Sequence, residues 1–348
     1  MIMKETDMLL SKEPHTYDFQ DILIQPAVSS NIDSRKDINL VDSSINGVPI
    51  MAANMINIGN FQMAQALQKH QMFTAVQKHF AASDWKHNVN NPYLVPTIGA
   101  DTESINRFKA IADNLNELTS FVCFDVANGH TVKNMSTAME LMKWIKSEIP
   151  SVKFIYGNIA NPETVRYMHQ TLGFYPDYIK IGIGSGSVCT TRIKTGIGIP
   201  QASLLDEFNG FALHYDDNMP KIVSDGGCRT PGDVVKAFVL GADIVMLGGM
   251  LAFHEEGREP GLGRTGDAMS LYGNSSEKAN GYNPELTYRT VEGINVTQRS
   301  RGSVHITVQD ILGGIRSACT MLGCENITEL KNCRGNIRVA RRQTDNYV

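Results

Sequence analysis

No apolar run in this 348-residue sequence is long enough to cross a bilayer, and the longest, around residues 244–253, is broken by glycines. Charge of one sign is equally scarce. The 32 Lys and Arg against 36 Asp and Glu leave a formal net charge of −4, so nothing marks a footprint for nucleic acid or an anionic membrane. Cysteine is sparse, six residues with no Cys-x-x-Cys pair, which excludes a disulfide framework and argues for reduced thiols. Cys123 lies in the apolar run Phe121-Val122-Cys123-Phe124 and is expected in the core. Cys319, Cys324 and Cys333 gather near the C-terminus without histidines at zinc-ligand spacing, so no metal site is expected there. The opening Met1-Ile2-Met3-Lys4-Glu5-Thr6-Asp7 carries acids early and shows no signal-peptide pattern, so a cytoplasmic location is expected. Repeats, low-complexity tracts and linkers are missing too, and the expectation is one catalytic domain over 1–348. No Gly-x-Gly-x-x-Gly opens a helix near the N-terminus, which weakens a Rossmann reading.

What the sequence does contain is 42% apolar residues, enough for a large core, arranged in eight short runs. They cover 48–55, 73–78, 94–99, 121–126, 154–158, 178–184, 221–225 and 243–248. Between most of them lie stretches of helical period, such as 61–70, 105–115, 138–149 and 231–240. Near-continuous apolar strands alternating with helices signal a parallel sheet covered on both faces. Eight such units predict an α/β fold, a (β/α)₈ TIM barrel, with an open doubly wound sheet as the alternative. Polar or glycine-rich residues follow most runs, where such a barrel builds its active site. The glycine- and charge-rich stretch 253–289, after the eighth run, predicts a mobile excursion over the barrel mouth. A helical pattern over 310–321 then closes the barrel.

The chemistry concentrates after the sixth run, in Ile181-Gly182-Ile183-Gly184-Ser185-Gly186-Ser187-Val188-Cys189-Thr190-Thr191-Arg192. Glycines permit close backbone approach, and a thiol near positive charge ionises more readily. The segment reads as a nucleophile presented on a loop. Ser224-Asp225-Gly226-Gly227 and Leu247-Gly248-Gly249-Met250 follow runs seven and eight, the places where such barrels bind phosphate. Ser187 adds a hydroxyl, and Asp225, which would repel phosphate, suits ribose hydroxyls. Cys189 with Thr191 and a carboxylate fits covalent catalysis at an electrophilic carbon. His79 and His130 are candidate bases, and Lys180, on a strand, offers a Schiff base as the rival chemistry. Residue types alone reach a phosphate-binding thiol enzyme.

The same residues resemble a known family. The cysteine loop, both Gly-Gly segments, Ala52-Ala53-Asn54-Met55 and Asp125-Val126-Ala127-Asn128-Gly129 stand in the order found in IMP dehydrogenases and GMP reductases, a resemblance running from about Asp18 to Gly323. Three features are similar to the reductase branch. No regulatory insertion lies between Asn88 and Phe121. Tyr288-Arg289-Thr290-Val291-Glu292-Gly293 resembles its catalytic-glutamate motif, and Arg316-Ser317-Ala318-Cys319-Thr320 resembles its C-terminal end.

The resemblance implies NADPH-dependent reductive deamination of GMP to IMP and ammonia, with Cys189 forming a thioimidate at purine C2 and Thr191 and Glu292 relaying protons. It assigns Ser187, Asp225, Gly226, Gly227, Gly248, Gly249, Gly273, Asn274, Ser275, Arg289 and Gly293 to the nucleotide. For NADPH it implies Ser34, Arg35, Lys78, Asp125, Val126, Ala127, Gly182, Ile183, Gly184, Ser317, Ala318, Cys319 and Thr320, with part of that site coming from a neighbouring subunit of a homotetramer. An arginine beside a serine suits a 2′-phosphate. A monovalent cation, potassium, is implied at Gly184, Gly186 and Cys189 with Arg192 beside them. Asn274 stands where the family usually has methionine, Ser185 where proline or glycine is commoner, and Gln77 where histidine is frequent. A compact IMP dehydrogenase and a nucleotide-binding sensor with little turnover are the alternative readings.

Overall fold

A computed structural model describes residues 16–86, 88, 90–112, 115, 119–215, 219–258, 268–273 and 292–340. Eight parallel strands close on themselves: β1 (Val48–Ala52), β2 (Met72–Val76), β3 (Leu94–Ile98), β4 (Phe121–Asp125), β5 (Lys153–Ile159), β6 (Tyr178–Ile181), β7 (Lys221–Asp225) and β8 (Ile244–Leu247). Closure is made by Ile50, Met51 and Ala52 of β1 opposite Val245, Met246 and Leu247 of β8. The eight apolar runs are these strands, and the open-sheet alternative is excluded.

Successive strand residues face opposite sides, and the two buried clusters separate accordingly. Val48, Ile50 and Ala52 pack outward under the helices, in the larger core cluster. Met51 and Ala53 join the smaller cluster inside the barrel. Alternate strands fill that interior in layers. Phe73, Phe121, Tyr178 and Ile244, from the even-numbered strands, make the lowest, where Phe121 meets Phe73 and Tyr178 edge-on at centroid distances of 5.2 and 5.4 Å. Met51, Val95, Ile155 and Val223, from the odd-numbered strands, lie above. Two residues further along the even strands stand Ala75, Cys123, Lys180 and Met246. Cys123 is fully buried there as expected, and burial pushes its thiol up to about 12. Lys180 is the exception to an apolar barrel filling.

Helices Phe61–Gln68, Thr102–Ala112, Val132–Glu148, Gln201–Ala212 and Pro231–Val239 cover the strands. Some begin earlier than hydrophobic period indicates because polar caps set their starts. Thr131 caps the fourth-strand helix, and Ser303 caps Val304–Leu322, six residues before the expected 310. The stretch 253–289 lies largely outside the described residues. Its described part includes a strand, β9 (Ala268–Tyr272), pairing antiparallel with β10 (Asn295–Arg299). Among the described residues no helix is long and apolar enough to cross a membrane.

Candidate active site

The cysteine loop leaves β6 at Gly182, whose φ of +142° and neighbour Asp225 O, 2.0 Å from where a Cβ would sit, admit only glycine. Gln201, fully buried at the head of its helix, then clamps the loop from below. Its Nε2 donates to Ile181 O at 3.0 Å and Ser224 Oγ at 3.1 Å, while its Oε1 accepts from Ser185 Oγ at 2.9 Å. Ser185 thus ties the loop down through a side-chain hydrogen bond that neither glycine nor proline makes. Arg192 packs against Gly184 and donates to Ile199 O at 2.5 Å and Asp18 at 3.4 Å, so it braces the loop from outside the cavity.

At the loop tip the half-buried Cys189 carries its Sγ 3.2 Å from Thr191 Oγ1, which donates to Glu292 Oε2 at 2.6 Å. Glu292 is distant in sequence yet fixed by backbone on both sides. Thr190 N donates to Glu292 O at 2.8 Å, Ile294 N donates to Val188 O at 3.0 Å, and Cys189 bridges Gly293. Residues 292–294 therefore run beside the cysteine loop like an added strand. Thiol, hydroxyl and carboxylate form one continuous proton path.

Below them lies a cluster of buried polar groups. Lys180, 1% exposed, places its Nζ 2.6 Å from Asp125 Oδ1, 2.9 Å from Asp225 Oδ2, and against Asn158 Oδ1. Asn158 Nδ2 donates to Asp225 Oδ2 at 2.9 Å and Gly182 O at 2.8 Å, and Asn54 Nδ2 to Asp125 Oδ2 at 2.9 Å. Gly157 makes room: a Cβ there would stand 2.4 Å from Lys180 O. Burial opposes charge on Asp125, but Lys180 and the hydrogen bonds overcome it and hold the carboxyl below its usual range. Burial likewise opposes the Lys180 ammonium, and the two aspartates more than offset this, raising it above the ordinary lysine value. A lysine held protonated has no lone pair for a carbonyl, so Lys180 is not a Schiff-base nucleophile. It anchors two carboxylates at the cavity floor.

A cavity of about 470 Å³ opens above, the size of a small-ligand cleft. Cys189, Thr191, Glu292, Ser187, Asp225, Gly226, Gly227, Gly248, Gly249, Gly273 and Gly293 line it, as do Lys78, Asp125, Val126, Ala127, Gly182, Ile183, Gly184 and Gly186. Lys78 pairs with Asp101 at 3.8 Å toward the Asp125 side. Ser34 and Arg35 lie elsewhere, where Ser34 caps the turn Arg35–Asp37 that packs on helix Val304–Leu322, the helix carrying Ser317, Ala318, Cys319 and Thr320. The turn and the helix touch each other, and none of these six residues lines the cavity of its own chain. Asn274, Ser275 and Arg289 lie outside the described residues.

Neither histidine lines the cavity. His130 Nε2 accepts from Ala160 N at 3.1 Å, so its Nδ1–H faces Thr164 Oγ1 at 2.9 Å, a structural role. Burial lowers both His79 and His130 from the ordinary value. Sequence assigns no role to Asn54, Asn158, Gln201 or the cavity-lining Arg229. Asn54 and Asn158 stand at strand C-terminal ends, which was the available signal, whereas Gln201 starts a helix and carries none.

Residues 16–345 match the family model of the IMP dehydrogenase / GMP reductase domain. The chain belongs to that family. It is similar to "GMP reductase" of Shigella boydii serotype 18, 41% identical over 345 residues, covering 93% of this chain and 95% of that protein. "GMP reductase" of Vibrio cholerae serotype O1 is 38% identical over 349 residues, covering 94% and 96%. An Escherichia coli "GMP reductase" is 41% identical over 345 residues, with 93% and 95% covered.

Proposed function

We propose that this chain is a GMP reductase: a cytoplasmic enzyme, one catalytic barrel with no inserted regulatory domain, that converts GMP to IMP and ammonia with NADPH. The observation that carries the reading is the Cys189–Thr191–Glu292 path, in which a carboxylate backs the hydroxyl beside the thiol. Cys189 sulfur adds to purine C2 while its proton passes through Thr191 to Glu292. The C2–N bond then breaks, and that proton leaves with the amine as ammonia, so the thioimidate forms with atoms in balance. NADPH, when bound, supplies the hydride that C2 receives in the second half. The C2–S bond breaks as IMP departs, and the Cys189 thiolate takes up a proton from solvent along the same path.

Asp225 fits the ribose, since its two contacts to Lys180 and Asn158 both use Oδ2. Ser187 with the Gly226-Gly227 and Gly248-Gly249 backbones fits the phosphate, and Gly273, Asn274, Ser275, Arg289 and Gly293 complete the nucleotide site. The donor set on the other side suits a nicotinamide cofactor. Lys78 and the apolar Ala100, Val126 and Ala127 line the same cavity. Ser34, Arg35 and residues 317–320, remote from their own cavity, fit the cofactor's far end in a neighbouring subunit of a homotetramer. A potassium ion suits the backbone carbonyls of Gly184, Gly186 and Cys189. Among the described residues no group of three His, Cys, Asp or Glu offers another kind of metal site.

The test is the direction of hydride transfer. With GMP, NADPH absorbance is expected to fall as IMP and ammonia appear in equal amounts. Reduction of NAD⁺ by IMP without the GMP reaction would instead make the chain a dehydrogenase. Nucleotide binding without turnover in either direction would make it a sensor.

A further inference from the structure

Two thiols meet far from Cys189, at the end of helix Val304–Leu322. The helix stops at Gly323, which takes φ +73°, and Cys324 follows, its N–H donating to Cys319 O at 3.0 Å. Asn326 then caps a short helix, Ile327–Asn336, that brings Cys333 back until its Sγ lies 3.4 Å from that of Cys324. The approach is fixed from both sides of Cys333. Lys331 pairs with Asp243 at 2.5 Å and Arg334 with the buried Asp206 at 2.6 Å. Both sulfurs are free thiols, with Cys324 3% exposed and Cys333 half-buried.

We propose that Cys324 and Cys333 are a dithiol site that small hydroperoxides oxidise reversibly to a disulfide. The two thiols divide the work by environment. Cys324 is buried and Cys333 is the more exposed of the two, their sulfurs 3.4 Å apart, so a reagent from solvent meets Cys333 first; burial and then the hydrogen bond to Cys333 also raise the Cys324 thiol. Cys333 is the attacking group. Its thiolate takes the terminal oxygen of the peroxide, the O–O bond breaks, and the departing oxygen leaves with the proton Cys333 gave up, as water from hydrogen peroxide or as the alcohol from an organic hydroperoxide. Cys324 sulfur then attacks the Cys333 sulfenic acid; the S–S bond forms, the S–O bond breaks, and hydroxide leaves as water with the Cys324 proton. The thiols lose two electrons and two protons, the peroxide gains them, and a thiol reductant reverses the change.

Trypsin separates the partners, because cleavage after Arg316, Lys331 and Arg334 places Cys324 in peptide 317–331 and Cys333 in peptide 332–334. The full chain carrying Cys189→Ala, which removes the active-site thiol from the chemistry, is treated with hydrogen peroxide and digested without reductant. The expected result is a linked 317–331/332–334 pair that dithiothreitol splits, that Cys333→Ser abolishes and that Cys319→Ala retains. The Cys333→Ser protein, with Cys189 restored, should keep unmodified GMP turnover, showing that it is folded. Recovery of Cys333 as sulfinic or sulfonic acid without a link would overturn the proposal, as would a link lost with Cys319→Ala.

Discussion

In the proposed mechanism, catalysis rests on three side chains, Cys189, Thr191 and Glu292, whose positions are also held by backbone hydrogen bonds between their segments. Thr191 Oγ1 has one proton and gives it to Glu292, so the thiol faces a hydroxyl oxygen able to accept. Glu292→Gln leaves the hydrogen bond to Thr191 possible and removes the base. Its kcat is expected to fall by roughly 10²–10⁴-fold, the usual worth of a positioned acid–base group, with KM for GMP little changed. Steady-state kinetics check this, and a KM rise at constant kcat would reassign Glu292 to binding. Cys189, Thr191 and the glycines around them were legible in sequence because that residue pattern serves little else. Lys180 was visible too, but its role was not. A lysine on an apolar strand reads as reactive until the aspartates ending β4 and β7 are seen to converge on it. Convergence of three strands is a property of the closed barrel, not of any window of sequence.

Among the elements, the eight strands were readable because strands buried on both faces leave near-continuous apolar runs. Helix starts were less so, since period reports the buried face while caps such as Ser303 decide the first turn. Residues 292–294, which align Glu292 with the cysteine loop, carry no periodic signal at all. The loops themselves are set by steric fit. Gly226 has φ +98° and a Cβ there would meet Ser185 Oγ at 2.5 Å, so Gly226→Ala is expected to displace the cysteine loop. The expected outcome is a rise in KM for GMP and a fall in kcat together, with thermal stability lowered by about 1–3 kcal/mol for the strained φ. Unchanged kinetics in Gly226→Ala would show that the two loops are not coupled.

For the whole molecule, the buried lysine–aspartate cluster ties strands β4, β5, β6 and β7 into one rigid floor, and its ionisation links stability to pH. Asp125 is lowered in the fold, so its contribution is present above the unfolded carboxyl value and is lost as pH falls through the folded one. His130, also lowered, is bound neutral. Its contribution is present above about 6.5 and fades as pH falls from there through its lower folded value. Lys180 is raised, so its share is full below about 10.4 and is lost only as pH rises through its higher folded value. Chemical denaturation across pH should therefore show a broad plateau from neutral to mildly alkaline, falling at both ends. Lys180→Met, which strands two carboxylates, is expected to cost about 3–5 kcal/mol near neutral pH. It should also turn the acid limb around, because protonating the stranded aspartates relieves their burial. A Lys180→Met protein as stable as the parent would refute the role given to the cluster.

The claim on which the rest depends is that Cys189 sulfur bonds to the purine before any hydride arrives. The direct measurement is peptide mass after incubating the protein with GMP alone and quenching in acid. The account predicts that the Cys189 peptide gains the mass of GMP less ammonia, with free ammonia released in step. An unmodified Cys189 in protein that turns GMP over once NADPH is added, or a Cys189→Ala protein with full activity, would contradict it.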